Sequence, residues 1–187
     1  MAKVVFSGAL SSDKIEVLSA YAQGLLTGVA EEVGLERITV TSTIRTPRAQ
    51  AEAMYNNIAS GRLIRYKEAG QKVTDLCIKM LGKLESKEKT ISEMTKMIEE
   101  LSEQDKRVSL HCVSAEEYAK CNIVDISASL VYDKAVRLLT KLAEREDVVQ
   151  IIQPVTSKAD INKGKVSFDA AEPAIHIEIN IPEKYRV

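Results

Sequence analysis

Alternating apolar and polar residues mark several short segments of the chain and predict β-strands. Successive side chains of a strand point to opposite faces, so a period of two indicates one buried face and one polar face. The predicted strands are Lys3–Phe6, Arg37–Ser42, Val108–Val113, Asn122–Ile126, Val148–Ile152, Lys165–Phe168 and Ala174–Ile181. We expect the last two to form a hairpin across residues 169–173.

Apolar residues at helical spacing predict four helices outside the middle of the chain. The helices are expected from a cap at Ser11 or Ser12 to Val33, from about Arg48 to Ile58, from Ser114 through Ala119, and from Tyr132 to Arg145. Gly34 ends the first helix, because glycine readily adopts the left-handed conformation that follows a helix. Pro47 opens the second helix, because proline suits the first helical turn.

Residues 62–105 differ from the rest of the chain, because their only periodicity is helical. Lysine and glutamate occupy the polar positions, and the apolar series comprises Val73, Leu76, Met80 and Leu84, then Ile91, Met94, Ile98 and Leu101. This pattern predicts two amphipathic helices on either side of residues 85–89. We interpret residues 62–105 as a helical insertion packed on the domain. An arm that binds a protein partner is the alternative interpretation.

The order of these elements predicts the fold class. Strands and helices are interspersed without the regular spacing of βαβ units, which favours an α+β fold with a mostly antiparallel sheet flanked by helices. A chain of 187 residues is long enough to bury a sizeable core. We therefore expect a single domain over residues 1–187 that carries the helical insertion at about 62–105.

Composition narrows the possible functions and locations. Lysine and arginine number 26 against 27 acidic residues, and this balance argues against a nucleic-acid binder, which needs a basic surplus. No apolar run approaches the roughly 18 residues of a membrane helix. The N-terminal sequence has no secretory signal, so we expect synthesis in the cytoplasm. The chain has three cysteines, and this odd number argues against a disulfide framework.

Two histidines and one aspartate are candidates for a metal site. His111 and His176 are the two histidines of the sequence, and both lie in predicted strands. Asp125 lies in a third predicted strand. Two imidazoles and a carboxylate can hold zinc and leave a fourth coordination position open. The alternative is that both histidines are ordinary strand residues and that Asp125 caps or turns the chain.

Four segments, taken in order, carry a family resemblance. Residues 42–50 resemble the Ser-x-x-Arg-[Ser/Thr]-x-x-x-Gln segment of the D-Ala-D-Ala peptidases and related phage endolysin peptidases, the zinc enzymes of the hedgehog/DD-peptidase fold. Residues 109–111 resemble the Ser-x-His of that family, and residues 123–126 resemble its aspartate-bearing strand. Residues 172–178 resemble its closing segment, which ends in the third metal ligand.

The resemblance assigns a role to each candidate residue. It implies one zinc per chain, held by His111, Asp125 and His176. Arg45 would bind the carboxylate or polarised carbonyl of the substrate, for which a planar and permanently charged guanidinium is suited. Gln50 and Ser109 would supply supporting hydrogen bonds at the substrate site.

Two acids are candidates for the catalytic base. The family places an acid three residues before the last histidine, and Pro173 occupies that position here. Glu172 precedes Pro173, and Glu178 lies two residues beyond His176. A base must reach the attacking water within about 3 Å, and either glutamate is a candidate.

Two functions follow from the resemblance. The first is a zinc peptidase or amidase that cleaves peptidoglycan stem peptides, as a phage-type cell-wall hydrolase released at lysis or carried by a virion. The second is a non-catalytic member of the same fold that serves as a binding or structural component of a virion or assembly. Residues 62–105 would then offer the surface for a protein partner.

Overall fold

The computed structural model describes residues 1–7, 18–62, 64, 66–157, 161, 164–170 and 172–186. The chain divides into two compact units. One unit combines Met1–Ile44 with Ser114–Val187 and contains the β-sheet. The other unit is Arg45–Val113 and is helical. This second unit is wider than the insertion predicted at 62–105.

Six strands form one open sheet in the first unit. They are β1 (Lys3–Phe6), β2 (Arg37–Ser42), β3 (Cys121–Ile126), β4 (Val148–Gln153), β5 (Val166–Phe168) and β6 (Ile175–Asn180), in the spatial order β1-β2-β3-β6-β4-β5. The β1–β2 and β4–β5 pairs are parallel, and the other three pairs are antiparallel. The class α+β is confirmed, and the sheet is mixed rather than mostly antiparallel.

Six α-helices lie within the described residues. They are α1 (Ala20–Glu32), α2 (Pro47–Ala59), α3 (Glu68–Gly82), α4 (Lys87–Glu103), α5 (Ala115–Lys120) and α6 (Tyr132–Ala143). The two amphipathic helices predicted in the middle of the chain are confirmed as α3 and α4. None of the helices in the described ranges is long and apolar enough to cross a membrane.

The sheet of the first unit has one apolar face and one polar face. Ile175, Ile177 and Ile179 of β6 are fully buried and belong to a core that includes residues of α1 and α6. Burying an isoleucine or leucine side chain contributes about 1.5–3 kcal/mol, so this face drives the folding of the unit. Because side chains alternate along a strand, His176 and Glu178 lie on the opposite face.

The helical unit has its own core. Its buried residues come from α2, α3 and α4, and they include Met54, Val73, Cys77, Met94 and Ile98. Val108, which follows the last of these helices, is buried in the same cluster, and Cys112 packs against it. The segment that carries His111 is therefore anchored to this helical core by apolar residues on both sides of the histidine.

Three local predictions are wrong. Val108–Val113 forms bends and turns rather than a strand. Strand β5 pairs in parallel with β4 and is not a neighbour of β6, so the predicted hairpin does not form. Helix α1 begins at Ala20, because the Ser19 side chain accepts a hydrogen bond from the Ala22 amide and caps it, so the predicted helix to Val33 does not run through residues 18 and 19. Ser11 and Ser12 lie outside the described residues.

Candidate metal centre

The register of two neighbouring strands positions Asp125 and His176. Strands β3 and β6 are antiparallel, and Asp125 lies directly opposite His176. Directly opposed residues project from the same face of a sheet. The Nδ1 atom of His176 lies 3.0 Å from the Oδ1 atom of Asp125. On the other side of Asp125, the buried Ser42 of β2 is the register partner.

Glu178 completes a row of polar groups on this face. It is two residues beyond His176 on β6, and its Oε1 atom lies 3.5 Å from the Nε2 atom of His176. Burial acts to lower the pKa of His176, but hydrogen bonds and charges from Asp125 and Glu178 outweigh burial and raise that pKa to about 9. The sheet therefore presents a histidine whose two ring nitrogens each face a carboxylate.

His111 lies in a turn of the helical unit. The Cys112 amide donates to the Ser109 carbonyl at 3.1 Å and closes the turn. The His111 amide lies 3.3 Å from the Ser109 hydroxyl oxygen, to which it donates. The predicted strand at residues 108–113 is thus replaced by a turn that contains both Ser109 and His111. Ser109 instead shapes the backbone of the turn that holds the buried His111.

Arg45 and Gln50 lie beside this turn in the same unit. The Arg45 amide donates to the His111 carbonyl at 2.9 Å. Its guanidinium donates from Nη1 to the Oε1 atom of Gln50 at 3.2 Å, and the Gln50 side chain is buried in the second turn of α2. Burial raises the pKa of the Cys112 thiol, and the charge of Arg45 partly offsets this rise. Arg45, Gln50, Ser109 and His111 thus form one hydrogen-bonded group.

The three predicted ligands come together. One ligand atom each of His111, Asp125 and His176 can be chosen such that all lie within 4.8 Å of one another. Both histidines are buried, and the Asp125 side chain is 15% exposed. Two imidazole nitrogens and one carboxylate oxygen form a donor set that zinc accepts, and imidazole also suits iron, copper and nickel. The residues present therefore fit a divalent transition metal.

The two candidate bases occupy different surroundings. Neither Glu172 nor Glu178 belongs to the group of potential ligands among the described residues. Glu178 contacts the ring of His176. The backbone amide of the half-buried Glu172 donates to the Asp169 carbonyl at 3.2 Å. The identity of the base stays a prediction.

Gly70 is a supporting residue that the sequence analysis missed. A Cβ atom at this position would lie 2.8 Å from the Val108 carbonyl oxygen and 2.5 Å from the Cβ atom of Tyr66. Both distances are shorter than real Cβ contacts. Helix α3 can therefore lie this close to the Val108 carbonyl only because residue 70 has no side chain. A glycine inside an amphipathic helix was the one available signal.

Comparisons with protein-family models, with curated proteins and with solved structures give no match. The resemblance to zinc peptidases therefore stays a prediction. What the structure supports is a mixed six-strand sheet and a buried His111–Asp125–His176 group that could hold a metal ion.

Proposed function

We propose that this chain is a metal-dependent peptidase or amidase whose substrate is a short peptide of the peptidoglycan stem type. The observation that carries the proposal is the buried group of two imidazoles and one carboxylate. Zinc is the metal we expect, at one ion per chain. When bound to three such ligands, the metal polarises a carbonyl group and makes water nucleophilic near neutral pH.

Arg45 is proposed to bind the substrate. Its guanidinium is steadied by the buried Gln50, which limits the rotamers that the arginine samples. A guanidinium held in this way can donate two parallel hydrogen bonds to a terminal carboxylate. Ser109 supports the site through the backbone of the His111 turn. Glu172 is the proposed base, because Glu178 faces the ring of His176.

A second candidate function is a non-catalytic binding or structural component of a virion or other assembly. The observation that favours it is that Pro173 occupies the position of the acid in the family, while Glu178 faces the ring of His176. In this case the metal would stabilise the fold, and the helical unit, including residues 62–105, would bind a protein partner.

The two candidates are separated by assay of the zinc-loaded chain. The first predicts release of new amino termini from muropeptides or D-amino-acid dipeptides. It also predicts that Glu172→Gln reduces hydrolysis by about 10²–10⁴-fold, the usual contribution of a general base, while zinc content is unchanged. Exposed Glu183→Gln is the matched control. Intact substrates after incubation with fully loaded wild-type protein would contradict the peptidase proposal and favour the second candidate.

A further inference from the structure

Two carboxylates stand at opposite ends of one imidazole ring on the polar face of the sheet. The Oδ1 atom of Asp125 lies 3.0 Å from Nδ1 of His176, and the Oε1 atom of Glu178 lies 3.5 Å from Nε2. The side chains of His176 and Glu178 are 5% and 19% exposed, so water has little access to either contact. One ring therefore lies between two acids, with one acid at each ring nitrogen.

The strand register fixes which acid lies at which nitrogen. Asp125 is across the ladder from His176, whereas Glu178 is two positions along the same strand, opposite Ile123 of β3 and Gln150 of β4. Neither acid can move to the other nitrogen without a shift of register, and a shift by one residue would turn the isoleucines of β6 away from the core. The backbone thus fixes the positions of the two acids around the ring, and the contacts of Nδ1 with Asp125 and of Nε2 with Glu178 favour the observed ring orientation.

This arrangement decides the ring nitrogen that faces a metal. Asp125 belongs to the potential ligand group with His176, and Nδ1 is the ring nitrogen beside Asp125. A metal held by Asp125 and His176 would therefore take Nδ1. The other nitrogen then carries a proton, and a metal-bound histidine usually donates that proton to a carboxylate, carbonyl or water.

We propose that Glu178 is a positioning residue, which accepts the Nε2 proton of His176 and so presents Nδ1 to the metal. The inference rests on the metal site of the proposed function but not on hydrolysis. It assigns Glu178 a role in metal affinity rather than in proton transfer to a reacting group. A carboxylate partner also makes the imidazole a stronger donor to the metal.

Zinc affinity measured by chelator competition separates these roles. Loss of such a partner weakens metal binding by about 10–100-fold, and we expect that loss for Glu178→Ala. Glu178→Gln keeps an oxygen acceptor and should retain most of the affinity. Asn180→Ala is the matched control, because Asn180 is exposed and occupies the next position on the same face of β6. Wild-type affinity in Glu178→Ala would overturn the proposal.

A spectroscopic test on the wild-type chain needs no substitution. With cadmium-113 in place of zinc, nitrogen-15 NMR should show metal coupling at Nδ1 of His176 and a bound proton at Nε2. Coupling at Nε2 would overturn the proposal even if Glu178→Ala failed to fold. Bound zinc with these signals but without hydrolysis would contradict the peptidase proposal alone. Absence of zinc and cadmium binding would overturn both.

Discussion

The strand pair β3–β6 and the segment 107–113 hold their candidate ligands in different ways. Asp125 and His176 lie opposite each other in an antiparallel ladder, where backbone hydrogen bonds fix both positions. His111 lies in a turn that is held by Ser109, by the Arg45 amide and by apolar contacts of Val108 with the helical core. Regular strand pairing holds the first region, whereas a few individual hydrogen bonds and apolar contacts hold the second.

Because of this difference, we expect the two regions to respond differently to substitution. A change in the strand pair must disturb a ladder that is supported by the apolar core on the other face of β6. A change around residues 107–113 needs only to displace a turn. We therefore expect distant substitutions to affect metal binding through His111 more readily than through Asp125 or His176.

Removal of a ligand should give the largest effect, and it should be similar in both regions. A structural zinc site contributes about 10–16 kcal/mol over its four ligands, so the loss of one ligand should weaken binding by roughly 100- to 1000-fold. We expect this for both His111→Gln and His176→Gln in a chelator competition assay. Unchanged zinc affinity in His111→Gln would show that the turn does not contribute a ligand.

The stability of the metal-free chain should depend on pH through the strand pair. The pKa of His176 is about 9 in the folded chain, whereas an unperturbed histidine of the unfolded chain has a pKa of about 6.5. A raised pKa contributes stability that is fully present below about pH 6.5 and is lost as pH rises through 9. The free energy of unfolding, measured with urea in the presence of a chelator, should decrease by up to about 3 kcal/mol from pH 6 to 9.

The same titration of His176→Gln is the control for this prediction. We expect the decrease in the free energy of unfolding to disappear in that variant. An equal decrease in both proteins would assign the pH dependence to other groups and would remove the proposed interaction of His176 with Asp125 and Glu178.

Gly70→Ala tests the support of the turn. The added methyl group meets the Val108 carbonyl and Tyr66, and overpacking of this kind typically costs about 1–3 kcal/mol. Displacement of Val108 should also reduce zinc affinity through His111. Gly82→Ala, at the end of the same helix α3 with open space around it, should be neutral or slightly stabilising. Equal stability and zinc affinity of the two variants would contradict this account of Gly70.

The smallest expected change in zinc affinity comes from removing one hydroxyl group in each region, that of Ser109 or that of Thr41. Ser109→Ala removes the acceptor of the His111 amide, a long bond of 3.3 Å, and should reduce zinc affinity about twofold to fivefold. Thr41→Val removes a similarly long hydrogen bond to the Asp125 carbonyl, which the ladder already positions, and should leave zinc affinity unchanged. A larger loss of zinc affinity in Thr41→Val would reverse the comparison.

Sequence patterns predicted the strand pair better than the turn, for a physical reason. The isoleucines of β6 alternate with His176, Glu178 and Asn180, and burial of one face of the sheet enforces that alternation. Val108 to Val113 has a similar pattern, but Val108 and Cys112 pack in a helical core instead. Apolar residues reveal burial, whereas the pairing partner that makes a strand is a tertiary contact. The parallel pairing of β5 escaped prediction for the same reason.

Anomalous diffraction at the zinc absorption edge can show whether His111, Asp125 and His176 bind one zinc ion together. The crystals would be grown from the chain with equimolar zinc. We expect one strong peak within about 2.3 Å of a ring nitrogen of His111, a carboxylate oxygen of Asp125 and Nδ1 of His176. A zinc peak located elsewhere, or the absence of any peak beside these three residues, would contradict this expectation.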